Sequence, residues 1–260
     1  MALSKQQKEE IKKYLITKIK EKLAEYSPET TSMPFHFRLL GKDRMALFSF
    51  IQSVNTTLGT SIFEKVGQII TKPLVKESKD RYDFEGFISD SAVLKIDLIM
   101  RNLRSATRKP NKDLEMKEVS LVSQKGKMGE KLKKRVDLFI VNRNGAEDYF
   151  EIKSAKPNIN EFTGIKKQLL DWVAMRASIN PEIKIRTFVA IPYNPYEPQQ
   201  YERWTLQGLF DLEKEVLVGK EFWDMLGGKN TYEELLTIFE TAGIELRSEI
   251  DKKILRINKK

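Results

Sequence analysis

The stretch RVDLFIVNRNGAEDYFEIKS, residues 135 to 154, restricts the fold of this chain more than any other. Two apolar runs rich in β-branched and aromatic residues flank Asn144-Gly145, and both of these residues tolerate positive φ. That pattern predicts a β-hairpin with strands over roughly 135–142 and 148–154. Yet Asp137 lies in the first run, and Glu151 and Lys153 lie in the second. Residues two apart on a strand share a face, so Glu151 and Lys153 point together while Ile152 points to the other side. The hairpin sets Asp137 across from residues 151 and 152. Two carboxylates that close repel unless a cation lies between them. Asp137 and Glu151 therefore read as an oxygen-rich site for Mg²⁺, with the carbonyl of Ile152 as a further ligand. Lys153 would neutralise a phosphate or orient a metal-activated water. The competing reading makes Asp137 an exposed strand end and Glu151-Lys153 an ordinary surface pair on an edge strand.

Residue usage narrows the chemistry. The 260 residues contain no cysteine and one histidine, His36. Thiolate catalysis, disulfides and cysteine-bound zinc are excluded, and a multi-histidine metal site or a Ser-His-Asp triad cannot be built without relying on that one residue. Set between Phe35 and Phe37, His36 is expected to be a packed structural residue. Carboxylates and lysines are left to carry any reaction. No apolar run is long enough to span a membrane, and MALSKQQKEEIKKY lacks a signal-like apolar region, so a cytoplasmic protein is expected.

Charge is unevenly distributed. Lys and Arg exceed Asp and Glu by nine over the whole chain. Residues 101 to 135 alone hold twelve Lys or Arg against four acids. A basic block beside a carboxylate pair points to a polyanionic partner, whereas taken alone it is equally a solvated lysine-rich surface.

Around the hairpin, apolar spacing predicts a helix over 4–26, with Ile11, Leu15, Ile19 and Leu23 on one face. A buried helix is expected in MALFSFIQSVNTTLG, and a helix over 60–71 capped by Thr60 or Ser61. Another is expected from SDSAVLKIDLIMRNLRSA, capped by Asp90 or Ser91. Residues 109–134 read as a strand or loop excursion. A helix over 160–179, a buried strand over 183–191 ended by Pro192, and helices near 206–226 and 230–243 complete the reading. The expected architecture is α/β of the α+β kind, a mixed central sheet flanked by helices. It forms a single domain over 1–260, with its core over about 60–192 and helical additions at 1–59 and 205–260.

Asp137 followed by Glu151-x-Lys153 at the end of a hairpin resembles the PD-(D/E)xK motif of restriction-endonuclease-like nucleases, with Val136 where the motif name has Pro. The phrases PFHFRLLGKDRMALFSFIQSVNTTLGTSIFE, EIKSAKPN and AIPYNPYEP are similar to type II restriction enzymes of the TdeIII type. The resemblance implies Mg²⁺-dependent hydrolysis of phosphodiester bonds in double-stranded DNA, at GGNCC, by a homodimer with a cognate DNA methyltransferase as genetic partner. It also makes Glu64 the upstream acid beside the metal, although an ordinary exposed helix Glu is an equal reading. Gln168 matches a position whose amide steadies the site in some members; a surface amide beside a core Trp is the preferred reading.

DNA contacts are expected from Lys125, Lys127, Lys131, Lys133, Lys134 and Lys156 on phosphates. The loop carrying Tyr193, Asn194, Tyr196 and Arg203 either reaches a groove or packs as a surface turn. Two rivals stand beside this reading. One is a repair or junction-cleaving nuclease of the same fold, and the other is a DNA-binding protein without catalysis.

Overall fold

The computed structural model describes residues 3–27, 32–153, 156, 158–202 and 205–258. Chain order begins with helix α1 (Lys5–Glu25), held at its start by a reciprocal capping box between Ser4 and Gln7. α2 (Pro34–Leu40) and α3 (Lys42–Thr57) follow. A wider π-turn over Leu58–Ile62 then leads into α4 (Phe63–Thr71). Thr60 and Ser61 are not caps. They lie inside this continuous helical run, and their hydroxyls donate to the carbonyls of Thr56 and Thr57 one turn back. α3 is also less buried than expected. Only Phe50 is enclosed, and Phe48 and Ile51 face outward. His36 is exposed on α2, since that short helix buries none of its residues.

Strand β1 (Glu77–Gly86) has a charged alternation, ESKDRYDFEG, with little apolar strand signal of its own. It is an edge strand, and its outward acids pair with the next strand's lysines. α5 (Asp90–Arg104) starts one residue earlier than expected, because Ser89 rather than Asp90 or Ser91 accepts the amide of Ala92. The segment read as strand or loop holds helix α6 (Lys112–Ser120). Asn111 caps it on Leu114, and Asp113 and Glu115 in its first turn suit the helix dipole.

The hairpin forms as the Asn-Gly signal requires. β2 (Leu132–Val141) and β3 (Glu147–Ile152) run antiparallel, with Gly145 at φ 84° in the turn. α7 (Ile159–Ile179) crosses to β4 (Ile185–Ile191), which lies parallel to β3. The segment expected to be one helix near 206–226 divides into α8 (Leu212–Glu215), a short parallel strand β5 (Val216–Val218) and α9 (Lys220–Gly227). Val-Leu-Val has both apolar content and β-branching, so pairing with β4 overrides the helical period. α10 (Thr231–Asn258) closes the chain.

The result is a mixed five-stranded sheet in the order β1-β2-β3-β4-β5, with a core on each side. On one face Phe139, Tyr149 and Val189 meet α5 and α7 through residues such as Ile96, Leu169 and Trp172. On the other, Leu138, Phe150 and Ala190 meet α1, α4, α9 and α10 through Ile11, Val66, Phe222 and Leu235. The α+β class and the mixed, helix-flanked sheet are as expected.

Candidate active site

The site begins where the sheet breaks its own rule. Tyr82 and Val136 pair and pack on the α7 side, whereas Asp80 and Leu138, two residues away on the same strands, face α4. Regular strands would keep both pairs on one side. The change of face occurs at Arg81 and Asp137, which are opposite one another but make no ladder pair. Arg81 takes a left-handed φ of 47° there. From that point β2 also parts from β3, since their pairing covers only residues 138 to 141 on β2.

Asp137 fills the gap so created. Its Oδ2 accepts the amide of Ile152 at 2.8 Å, taking the place of a backbone acceptor in the interrupted ladder. A strand residue's N–H and C=O point to the same edge, so the Ile152 carbonyl faces this gap too. Glu151 is held from two sides. Lys153 Nζ stands 2.6 Å from Oε1, and Gln168 Nε2 on α7 donates to Oε2 at 2.7 Å. The same Gln168 amide reaches the Arg135 carbonyl at 3.3 Å, so it bridges the splayed strands. Gln168 is therefore a site residue and not the surface amide beside a core Trp that its sequence context favoured. Its position at the right turn of α7 was the signal available.

Glu64 joins from α4. It is buried, its Oε2 accepts no hydrogen bond, and Arg81 Nε stands 3.6 Å away. It is thus not the exposed helix Glu of the alternative reading. Burial and then the charge of Asp137 push Glu64 to about 8. Burial and then Asp137 likewise push Glu151 to about 7, against the pull of Lys153. Burial raises Asp137 itself, resisted by the Ile152 amide, Lys153 and Arg135. For Lys153, burial works against the charge, but Glu151 and Asp137 outweigh it and hold the amine above its ordinary value. Asp137 and Glu151 thus share one close ammonium while Glu64 has the Arg81 guanidinium 3.6 Å away, and each carboxyl would lose its proton more readily beside a further cation.

The donor set suits a hard ion, because every candidate ligand is an oxygen and the carboxyl pair is under-neutralised. Among the described residues no three acidic or histidine side chains form a ready-made cage. The candidate ligands are the carboxylates of Asp137 and Glu151, which sense each other's charge, and the carbonyl of Ile152.

A comparison with known proteins shows the family of the chain. The model of the type II restriction endonuclease family HinfI matches residues 3–243. The chain belongs to the HinfI family of type II restriction endonucleases. It is 31% identical over 90% of its length to the type II restriction enzyme HgiCII of Herpetosiphon aurantiacus, covering 85% of that protein. It is 28% identical to HgiBI of the same organism, over 98% of this chain and all of the relative. MjaII of Methanocaldococcus jannaschii is 27% identical over 93% of this chain and 71% of its own. The enzyme class that the resemblance implied, a type II site-specific deoxyribonuclease, is that of the HinfI family. The matching family is named for HinfI and not for the TdeIII type that the quoted phrases resemble.

The sequence-chosen lysines of this restriction endonuclease are differently employed. Lys131 lies 2.5 Å from Glu85, Lys133 2.7 Å from Asp83, and Lys134 3.2 Å from Asp171. Arg135 also pairs with Asp83. Three of the twelve basic residues of the block, Lys131, Lys133 and Arg135, are thus answered by acids of β1. Lys125 and Lys127 are exposed in the turn before β2 and have no ion pair among the described residues. In the loop after β4, Asn194 is occupied with its own turn, accepting from the Tyr196 amide and donating to the Gln199 carbonyl. Lys156 Nζ sits 5.0 Å from the Tyr196 ring centroid, and Tyr193 is exposed. Arg203 lies outside the described residues. No helix among the described residues is long and apolar enough to cross a membrane.

Proposed function

We propose that this restriction endonuclease hydrolyses phosphodiester bonds of double-stranded DNA at the Asp137–Glu151–Lys153 cluster, as a PD-(D/E)xK enzyme dependent on Mg²⁺. One observation carries the reading. Two buried carboxyls, both raised by burial and the second raised further by the charge of the first, meet a lysine at a break in the sheet, and a hydrogen-bonding amide fixes the second of them. Asp137, Glu151 and the carbonyl of Ile152 would hold the metal, which when bound would stabilise the negative charge developing on the phosphoryl oxygens. Lys153 orients the attacking water, and its ammonium faces the incoming phosphate. Asp137, tied to the Ile152 amide, keeps the end of β3 in place against β2. Gln168 restricts the Glu151 carboxylate to one orientation. Glu64 adds a third carboxylate to the same pocket from α4.

In this proposal the chain works as one nuclease domain in the prokaryotic cytoplasm, as a homodimer on a palindromic site, beside a cognate methyltransferase that protects host DNA. Lys125, Lys127 and Lys156 contact phosphates directly, and Lys131, Lys133 and Lys134 do so after exchanging their present acidic partners. Tyr193, Asn194 and Tyr196, on the loop after β4, complete the DNA-facing set, and Arg203, outside the described residues, is proposed as a further contact. The TdeIII-type phrases point to GGNCC. The test is digestion of plasmid DNA in Mg²⁺ and in EDTA, with sequencing of the fragment ends. Discrete bands formed only with the metal are expected. Cutting restricted to branched DNA, or no cutting with any divalent cation, would overturn the proposal.

A further inference from the structure

An open cleft of about 700 Å³ lies between α5 and α7. Arg101, Arg104 and Ser105 line one wall, and Thr163, Gly164 and Lys167 line the other, with Asp97 as its acid. Both arginines are exposed, and neither has an ion pair among the described residues, in contrast to Lys131, Lys133, Lys134 and Arg135. Their place in the last turn of α5 suits the helix dipole, but that interaction leaves both guanidinium groups with unused donors.

The second wall holds an independent clue. Gly164 is inside α7, where glycine costs about 0.5–1 kcal/mol relative to alanine. A Cβ built on it meets nothing within 4 Å, and its φ is not in the left-handed region. Neither packing nor backbone geometry therefore calls for glycine here. A residue without a side chain, opening on a cationic cleft, instead leaves room for another molecule's backbone to approach the helix. Position supplies the last step. Gly164 is one helical turn from Gln168, which touches Glu151, and Lys167 joins Lys134 through Asp171. A polyanion lying in this cleft would run directly toward the cluster of carboxyls.

We propose that the α5–α7 cleft holds the sugar-phosphate backbone of duplex DNA flanking the cut, with Arg101 and Arg104 on phosphates and Gly164 as the point of closest approach. This rests on the nuclease reading and adds a binding surface to it. Bonds to phosphate without base contacts make it a positioning surface, so it should act alike on every sequence.

The experiment measures binding of a fluorescent duplex of arbitrary sequence in EDTA across a salt series, and separately plasmid cutting in Mg²⁺. For R101A/R104A the slope of log affinity against log salt should become shallower by about 1.8, from about 0.9 per phosphate contact. The K125A/K127A protein is compared in parallel. G164L should bind at least tenfold more weakly while melting no lower than wild type, because a Cβ there meets nothing within 4 Å and glycine is the poorer helix former. An unchanged slope in the arginine variant, or unchanged affinity in G164L, would overturn the proposal. If wild type cuts plasmid while either of those results is found, the cleft alone is refuted. If the slope falls but no divalent cation supports cutting, the nuclease reading fails and the cleft stands.

Discussion

Two groups of buried charges sit along α7, and they are built on opposite terms. Lys166 is fully enclosed, with Glu115 at 2.6 Å and both oxygens of Glu215 at 2.6–2.7 Å. Nearby, Lys112 donates to the carbonyls of Thr187 and Lys214 and stands over the Phe188 ring. Two acids face two amines, and the amides of Asn111 and Asp211 take further carboxylate lone pairs. Two residues along the helix, Gln168 enters the other group, where Asp137 and Glu151 share the close ammonium of Lys153 and Glu64 has the Arg81 guanidinium 3.6 Å away. The first cluster is closed and neutral, joining α6, α7 and α8. The second is left short of positive charge. Burying charge is costly in both places, as the lowering of Lys112 by burial shows in the first, but the second has more carboxyls than cations, and such a deficit is what a cationic ligand would relieve.

The contrast can be broken most forcefully at Lys166. K166M leaves two enclosed carboxylates without their ammonium and should cost about 3–5 kcal/mol, read from the urea midpoint. Replacing Glu115, Lys166 and Glu215 together by apolar residues of similar volume should recover most of that loss. At the other cluster the large effect is on rate. E151A, D137A and K153A should each lower kcat about 10²–10³-fold or more, with duplex binding in EDTA little changed. A K153A enzyme cutting at near-native rate would remove Lys153 from its proposed role. Q168A should lose less, about 10- to 100-fold, because it acts by orienting Glu151. Restoration by Q168N would show that only a donor near this position is needed.

The sequence made the hairpin, α7 and β4 legible because Asn-Gly turn chemistry and apolar runs are local signals. The pairing of Asp137 with the end of β3 followed from counting residues out from that turn. What it hid depended on partners distant in the chain. β1 gives no local strand signal because its charged residues are matched by partners elsewhere, Asp83 and Glu85 by Lys131, Lys133 and Arg135. For the same reason the basic block looked freer than it is. Gln168 looked superficial because its partner is 17 residues away, across a strand end. The slip at Arg81 and Asp137 is invisible to any two-residue period, since it is a departure from that period.

A smaller effect than these separates the clusters by pH in the metal-free protein. A carboxyl whose folded pKa exceeds its unfolded value holds its proton more tightly in the native state, so stability falls as pH rises between the two values. For Glu151 that interval runs from its ordinary 4.5 to about 7, and for Glu64 to about 8. Lys112 behaves in the opposite sense. Burial first, helped by Lys166 and Arg186, lowers it from 10.5 to about 8. Above pH 8 the native state sheds this proton before the unfolded chain does, so stability from this group rises toward pH 10.5. In EDTA the melting temperature should therefore decline from pH 4.5 to 8 on account of the site and gain from Lys112 above that. E151Q should flatten the acid limb and gain on the order of 1 kcal/mol at neutral pH, by removing the unmatched charge. K112M should flatten the alkaline limb alone, whatever its absolute stability. Millimolar Mg²⁺ should act like E151Q on the first limb and leave the second unaltered. An acid limb that survives both E151Q and E64Q would show that the carboxyl cluster is no less satisfied than the one around Lys166.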